Sequence, residues 1–271
     1  MYKFSRNQRV SAITKLLVEN PNKIVNLNSF TELFNAAKST VSEDICIVRD
    51  TLNRLNIGRI ETVPGAAGGV KYISGLPQEK AKEYARGLCD ALSDRSRVTP
   101  GDFLYLTDLI CNPEIVHKAG LILASAFSDL QIDCVVTVET KGIPLAYEVS
   151  KLLGVQLVIV RRESKITEGP SVSINYVSGS NRRIQNMSLS KKAMKKGSNC
   201  IFIDDFMKAG GTAFGIIDLM KEFESAVLGI GILVDNVQTP KKKVHDYISI
   251  VDLIDINEEG FAKLEPSKLF K

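Results

Sequence analysis

The chain is expected to be an α/β protein in two parts: a small helix-and-hairpin module, then a larger domain on a mainly parallel sheet. Three observations predict this. Near the N-terminus three helical apolar patterns stand close together, followed by two short strands around a Gly-rich turn. From about residue 130, apolar runs alternate with helical patterns, as in parallel βαβ units. One such run, Cys200-Ile201-Phe202-Ile203, leads into two carboxylates, a small-residue loop and a further helix.

Composition sets the bounds. The 271 residues are 44% hydrophobic and 24% charged, which suits a globular chain with a sizeable core and room for two domains. No run is long and apolar enough to cross a bilayer, and residues 1–6 lack an apolar signal region, so a cytoplasmic location is expected. The five cysteines are scattered, with no metal-like pairing, and are read as buried free thiols. His117 and His245 are far apart, which argues against a His-based metal site or triad. Residues 1–74 hold 10 Lys/Arg and 6 Asp/Glu. The whole formal excess of +4 therefore lies in the first quarter, compatible with a nucleic-acid-binding module.

The first element is a helix from Arg6 to Asn20, with Val10, Ile13, Leu16 and Leu17 at helical spacing and Asn20-Pro21-Asn22 as its stop. Residues 24–27 read as extended. Asn28 or Ser29 is expected to cap a short helix over residues 30–36, and Ser39 or Thr40 the next one. In that third helix Val41, Ile45, Val48, Leu52 and Leu55 form one stripe. Residues 59–63 and 70–73 then read as a hairpin around Pro64-Gly65-Ala66-Ala67-Gly68-Gly69.

This order is a winged helix-turn-helix, and docking geometry suggests roles. The third helix would enter the major groove, with Lys38, Ser39, Thr40, Ser42 and Glu43 near its leading end. Arg49 would reach phosphate. The Gly-rich wing, with Arg59 and Lys71 nearby, would approach the DNA backbone or minor groove. A small protein-interaction module with a solvated polar helix face is the competing reading. Ser74-Gly75-Leu76-Pro77 marks the boundary, giving domains at 1–74 and 75–271.

In the larger domain, helices are expected over residues 78–93 and through Ile115, Ala119, Leu123 and Phe127, with an apolar run at residues 103–106 between them. Residues 132–138 read as a strand, followed by a helix to Leu153 and a strand over residues 155–160. Residues 161–197 are long, polar and basic, with a strand-like alternation at 171–177 and a turn at 177–181. They fit a mobile flap over an anionic ligand, a solvated loop or an extra DNA contact. Residues 225–234 and 247–256 read as further strands, with a short tail after them.

The run Asp204-Asp205-Phe206-Met207-Lys208-Ala209-Gly210-Gly211-Thr212 carries the chemistry. Gly210 and Gly211 let the backbone approach a ligand closely, and the helix they open presents amides and a positive dipole end to an anion. Thr212 adds a hydroxyl. Asp204 and Asp205 at the strand end are acceptors for ribose hydroxyls and could help hold Mg²⁺ on a phosphorylated ligand. Parallel sheets place ligands at this edge, where residues 132–138 would also deliver Thr140, Lys141 and Gly142 to a second anionic group. An ordinary strand–turn–helix with acidic residues at its rim is the plain alternative.

The Asp204-to-Thr212 run resembles the phosphoribosyl-pyrophosphate (PRPP) motif of type I phosphoribosyltransferases. With the module ahead of it, the whole chain is similar to the bacterial purine-operon regulators of the Gram-positive type. The segments carrying the likeness include Ala37-Lys38-Ser39-Thr40-Val41-Ser42-Glu43-Asp44, Pro64-Gly65-Ala66-Ala67-Gly68-Gly69-Val70, Thr140-Lys141-Gly142-Ile143-Pro144-Leu145-Ala146 and Ser173-Ile174-Asn175-Tyr176-Val177-Ser178-Gly179-Ser180. The resemblance implies a winged-helix domain fused to a type I phosphoribosyltransferase domain. It implies a homodimeric regulator of purine gene promoters that binds double-stranded DNA and uses the second domain as a PRPP sensor, with no catalytic residue and no required cofactor. Purine alarmone nucleotides would compete for the same pocket. The family's enzymes usually carry a small residue and Thr before Gly-Gly; here Lys208 and Ala209 stand there, which agrees with the regulator type. Two rivals remain: an active purine phosphoribosyltransferase with an accessory nucleic-acid-binding domain, and an RNA-binding attenuation protein.

Overall fold

The computed structural model describes residues 3–100, 103–163, 166–177, 184–239 and 241–270. The chain falls into two compact units, Met1–Pro77 with Lys151–Gly154, and Gln78–Ser150 with Val155–Lys271.

In the first unit, helices α1 (Arg6–Glu19), α2 (Leu27–Phe34) and α3 (Lys38–Leu55) precede the hairpin of β1 (Gly58–Val63) and β2 (Gly69–Ser74). Ser5 and Gln8 form a reciprocal capping box at the start of α1. Two expected caps are corrected. The α2 helix starts at Leu27, because Asn26 turns its side chain onto the Asn28 amide. The α3 helix starts at Lys38, so Ser39 and Thr40 lie inside its first turn, and its N-cap is Ala37, which makes no side-chain cap bond.

Ile13, Leu17, Phe30, Phe34, Val41, Ile45, Val48 and Leu52 meet Ile60, Val70 and Tyr72 in one core. Leu55, expected on the same stripe, is the last residue of α3 and is 57% exposed. The extended stretch at residues 24–27 reduces to a single antiparallel bridge, Val25 to Val70. That bridge gives two of the wing glycines a packing role. A Cβ on Gly69 would stand 2.1 Å from the Val25 carbonyl oxygen, and one on Gly68 2.2 Å from that of Val63. Both glycines are buried and serve close packing inside the unit.

The second unit opens with α4 (Gln78–Leu92), the two-residue strands β3 (Val98–Thr99) and β4 (Phe103–Leu104), and helices α5 (Thr107–Ile110) and α6 (Pro113–Ala126). Then β5 (Cys134–Val138), α7 (Ile143–Leu153) and β6 (Gln156–Val160) alternate, followed by the hairpin of β7 (Ser171–Val177) and β8 (Ile184–Ser190). Finally come β9 (Asn199–Met207), α8 (Gly211–Glu222), β10 (Ala226–Asn236), β11 (Ile248–Ile256) and β12 (Ala262–Pro266). The main sheet runs β12-β11-β10-β9-β5-β6 and is parallel except for β12, which pairs antiparallel with β11. The presumed tail is therefore an edge strand, with Ala262 and Leu264 turned inward.

The basic stretch 161–197 is no solvated loop, and the strand expected at 171–177 is β7. Its centre is the β7–β8 hairpin, whose inner residues Tyr176, Met187 and Leu189 join the core with Ile216, Leu219 and Met220 of α8. Gly215 makes this approach possible: a Cβ there would meet the Tyr176 ring at 3.0 Å. Arg161 and Ser188 bridge β6 to β8 through two backbone bonds. Lys165, Arg182, Arg183 and most of the expected turn at 177–181 lie outside the described residues. Of the cysteines, Cys89, Cys134 and Cys200 are buried free thiols as expected, whereas Cys46 and Cys111 are exposed.

Candidate functional site

Strands β5 and β9 are neighbours and end on the same edge of the sheet, which brings two loops distant in sequence together. A cleft of about 480 Å³ opens there, a size suited to a sugar phosphate. Every residue expected to bind PRPP lines it except Gly142. Gly142 is buried directly behind: a Cβ on it would lie 2.7 Å from both Asp204 Oδ1 and Thr137 Oγ1. The Thr140–Gly142 loop is thus laid against the acidic pair.

The β9 side of the cleft is a strand-to-helix turn. Apolar residues carry β9 through the sheet, and the strand continues past both aspartates to Met207. Lys208 and Ala209 then lead to Gly210, whose φ of 71° is left-handed and which forms the N-cap of α8 without any side-chain cap. Gly211, Thr212 and Ala213 line the cleft. The first amides of the helix and its positive dipole end therefore face the position of an anion.

The β5 side is fixed by Glu139. Its amide donates to the Val160 carbonyl at 3.0 Å. Its carboxylate accepts from the Arg161 guanidinium at 3.1 Å and from the Arg162 amide at 2.8 Å. Glu139 is committed to holding the ends of β5 and β6 together, which leaves Thr140 and Lys141 exposed at the rim.

The acidic pair is electrostatically tense. Burial pushes the Asp204 carboxyl well above the usual carboxylate range, and the neighbouring Asp205 carboxylate adds to this, with Arg162 opposing. Burial also raises Asp205, opposed by its hydrogen bond with Asp204 and by Lys141. Like charges this close disfavour double ionisation, so the pair retains a proton more readily than an ordinary carboxylate. Ribose hydroxyls donating to the pair, or a cation carried on a phosphorylated ligand, would favour the fully ionised state. Among the described residues no group of three or more His, Cys, Asp or Glu could hold a metal by itself. Two carboxylates suit a cation whose remaining ligands are phosphate oxygens and water.

Residues absent from the sequence-based expectation complete the walls. Thr99, Phe103, Leu104 and Tyr105 come from the β3–β4 segment, Arg162 from the end of β6 and Gln185 from β8. Phe103 and Phe206 are tilted against each other with ring centroids 5.6 Å apart, and the Lys208 ammonium stands 5.2 Å from the Phe103 ring centre. The apolar run at residues 103–106 was legible, but its placement in the cleft is a long-range fact.

In the first unit, Lys38, Ser39, Ser42 and Glu43 are exposed and Thr40 half-buried along the leading turns of α3. Glu43 accepts from Arg6 at 2.8 Å. Arg49 is turned inward: Nε donates to the Ile60 carbonyl at 3.2 Å and Nη2 to Thr62 Oγ1 at 3.0 Å. It clamps α3 to the wing. Arg59 and Lys71 both face Glu61, at 2.9 and 3.3 Å. Among the described residues no helix is long and apolar enough to cross a membrane.

Comparison with known proteins fits both halves. A family described as bacterial purine repressor, N-terminal, matches residues 5–74, and the phosphoribosyl transferase domain matches residues 107–265. Over 255 residues the chain is 48% identical to the purine biosynthesis transcriptional repressor PurR of Bacillus subtilis, covering 94% of this chain and 90% of that one. It is 37% identical to the purine biosynthesis transcriptional activator PurR of Lactococcus lactis subsp. lactis, over 93% of each chain. The xanthine phosphoribosyltransferase of Deinococcus deserti is 30% identical over 55% of this chain and 80% of that enzyme. Among solved structures, the adenine phosphoribosyltransferase of Thermoanaerobacter pseudethanolicus gives a TM-score of 0.53 at 19% identity, covering 61% of this chain and 98% of that one, a likeness of fold. A helix-and-wing module and a phosphoribosyltransferase domain in one chain, with relatives matched along nearly their whole length, make this chain a member of the PurR family of purine biosynthesis transcriptional regulators.

Proposed function

We propose that the chain is a DNA-binding regulator of purine biosynthesis genes whose phosphoribosyltransferase domain binds PRPP as a signal. The observation that carries the reading is the shared edge of β5 and β9. It joins two acceptor carboxylates, an uncapped helix N-terminus and a second anion-facing loop in one cleft, within a chain of a regulator family. The ribose would sit on Asp204 and Asp205, its 5-phosphate on the turn at residues 208–212, and its pyrophosphate on Thr140 to Gly142. Mg²⁺ would arrive on the pyrophosphate and be shared with the acidic pair. A purine alarmone nucleotide would compete for the same cleft. The working form would be a homodimer.

Sensing without turnover suits Lys208 and Ala209, which replace the small residue and Thr that the enzymes usually carry. For PRPP to act it must bind the DNA-competent and incompetent states with different affinity. A polyanion in a basic chain also reduces attraction to DNA phosphates, so part of the effect would be electrostatic.

The test is a titration of a purine-biosynthesis promoter fragment with the protein at fixed salt, with and without PRPP and Mg²⁺. Specific binding altered by PRPP is the expected result. Specific binding indifferent to PRPP would remove the sensor. The likeness to xanthine phosphoribosyltransferases favours one second reading, an active purine transferase, and conversion of PRPP and a purine base to nucleotide would establish it.

A further inference from the structure

The anion-facing turn is held from behind by a strap that lines no part of the cleft. Asp235 stands near the end of β10, paired in register with Met207, the last residue of β9, and is 1% exposed. A buried carboxylate needs partners. Asp235 takes both from the connection between β10 and β11: the Lys242 ammonium and the Tyr247 hydroxyl, the latter at 2.8 Å. The Lys242 ammonium also lies 5.6 Å from the Tyr247 ring centre.

Residues 242 and 247 are thereby drawn to one point, and the residues just after Lys242 are pressed on the turn. The Lys243 amide donates to the Ala209 carbonyl at 3.0 Å. Val244 is buried, and its Cγ2 would lie 2.9 Å from a Cβ on Gly210. Gly210 is therefore required twice, for its left-handed backbone and for the space Val244 takes. The Lys243 ammonium donates to the Val177 carbonyl at 3.1 Å, which ties the strap to the β7–β8 hairpin as well. The Ala209 carbonyl, a negative end that would oppose an anion, is committed to the strap.

From this geometry we infer that Asp235 is a positioning residue: through Lys242 and Tyr247 it sets the strap, and the strap sets the turn at residues 208–211 that holds a ribose 5-phosphate. The inference rests on the reading of the cleft as a PRPP site. It assigns Asp235 to the 5-phosphate end and leaves the pyrophosphate end, at Thr140 to Gly142, outside its reach.

The two ends separate the outcomes. Ribose 5-phosphate and inorganic pyrophosphate are each titrated by calorimetry into the full-length wild type, Tyr247→Phe and Asp235→Asn. Tyr247→Phe removes one hydrogen bond and keeps the ring, so it remains informative if Asp235→Asn does not fold. Tyr247→Phe is expected to weaken ribose 5-phosphate about threefold and Asp235→Asn about tenfold or more, since the first removes one of two partners of the buried carboxylate and the second removes the charge that holds both. Pyrophosphate affinity is expected to stay within about twofold in both, because distant sites respond independently. Unchanged ribose 5-phosphate binding in both variants overturns the inference, and so does an equal loss for both ligands, which would mark a general loosening. A wild type that binds neither ligand would instead sink the PRPP reading beneath it.

Discussion

Gly142 and Asp204 touch across the sheet edge. A Cβ on Gly142 would lie 2.7 Å from Asp204 Oδ1 and 3.3 Å from Asp204 Cα, so swinging the carboxylate aside cannot relieve the contact. Gly142→Ala must push the Thr140–Gly142 loop off the acidic pair and separate the two ends of the cleft. PRPP affinity is expected to fall about tenfold or more, on the scale of about 1–3 kcal/mol for overpacking. The first unit is untouched, so promoter binding without PRPP is expected to persist. Fluorescence anisotropy with and without PRPP reads both quantities on one sample.

Asp204 also sets a pH dependence. Its carboxyl is held above the ordinary range by burial and by Asp205. The unliganded pair holds a proton to higher pH than ordinary carboxylates do, and acceptance from ribose hydroxyls by both carboxylates would release it. PRPP affinity should therefore rise with pH above about 4, the ordinary carboxylate value, and level off once the free pair is ionised. Stability moves the other way: the folded state binds the extra proton in that window, so the Asp204 contribution falls as pH rises. Asp204→Asn should flatten both trends, and Asp204→Ala or Asp205→Ala should weaken the PRPP response while leaving promoter binding intact. Calorimetry in buffers of different ionisation enthalpy counts the released proton; none released by the wild type would remove this account.

The sequence made the main site legible because its parts are local. Strand, carboxylates, glycine turn and helix are consecutive from Cys200 to Phe223, and period alone orients them. Phe103, Arg162 and Gln185 were not legible as wall residues, since only the folded sheet brings β4, β6 and β8 to that edge. Asp235 carried no signal, because a single carboxylate at a strand end gains meaning only from Lys242 and Tyr247. Cap placement failed where side chains competed. Asn26 captured α2 before Asn28 could, and α3 begins at Lys38 behind an N-cap, Ala37, that makes no side-chain bond, leaving Ser39 and Thr40 inside its first turn. The strand β12 was missed because five residues ending in a proline look like a tail until β11 supplies their partner.

The leading turns of α3 and the wing should respond differently to truncation. Lys38 is exposed, so Lys38→Ala is expected to weaken promoter binding across sequences and to lower the salt slope by about 1, the signature of one lost phosphate contact. Arg49 is spent on Ile60 and Thr62. Arg49→Ala should act mainly by loosening α3 from the hairpin, lowering stability by about 1–3 kcal/mol with little change in salt slope. Promoter titrations at several salt concentrations, with thermal unfolding, separate the two; a lowered slope in Arg49→Ala would return it to the DNA surface.

Glu43 and Asp44 are adjacent on α3 and both face Arg6, yet their removal should differ widely. Glu43 pairs with Arg6 at 2.8 Å in the open, with both side chains more than half exposed. Such pairs contribute about 0–1 kcal/mol, because solvent screens them and ordering two long side chains costs entropy. Asp44 is fully buried and accepts from Arg9 at 2.6 Å, with Arg6 at 3.5 Å, tying α1 to α3. Asp44→Ala leaves the largely buried Arg9 guanidinium without its carboxylate, a loss of about 3–5 kcal/mol for a broken buried pair. That approaches the whole stability of a small domain, so the first unit should melt well before the second. Specific promoter binding would vanish, whereas the PRPP binding proposed for the second unit would remain. Glu43→Ala should leave both the melting curve and the PRPP titration unchanged. The measurement is differential scanning calorimetry of both variants, and a similar small shift in the two would show that Arg9 finds water or Glu43 as a substitute for Asp44.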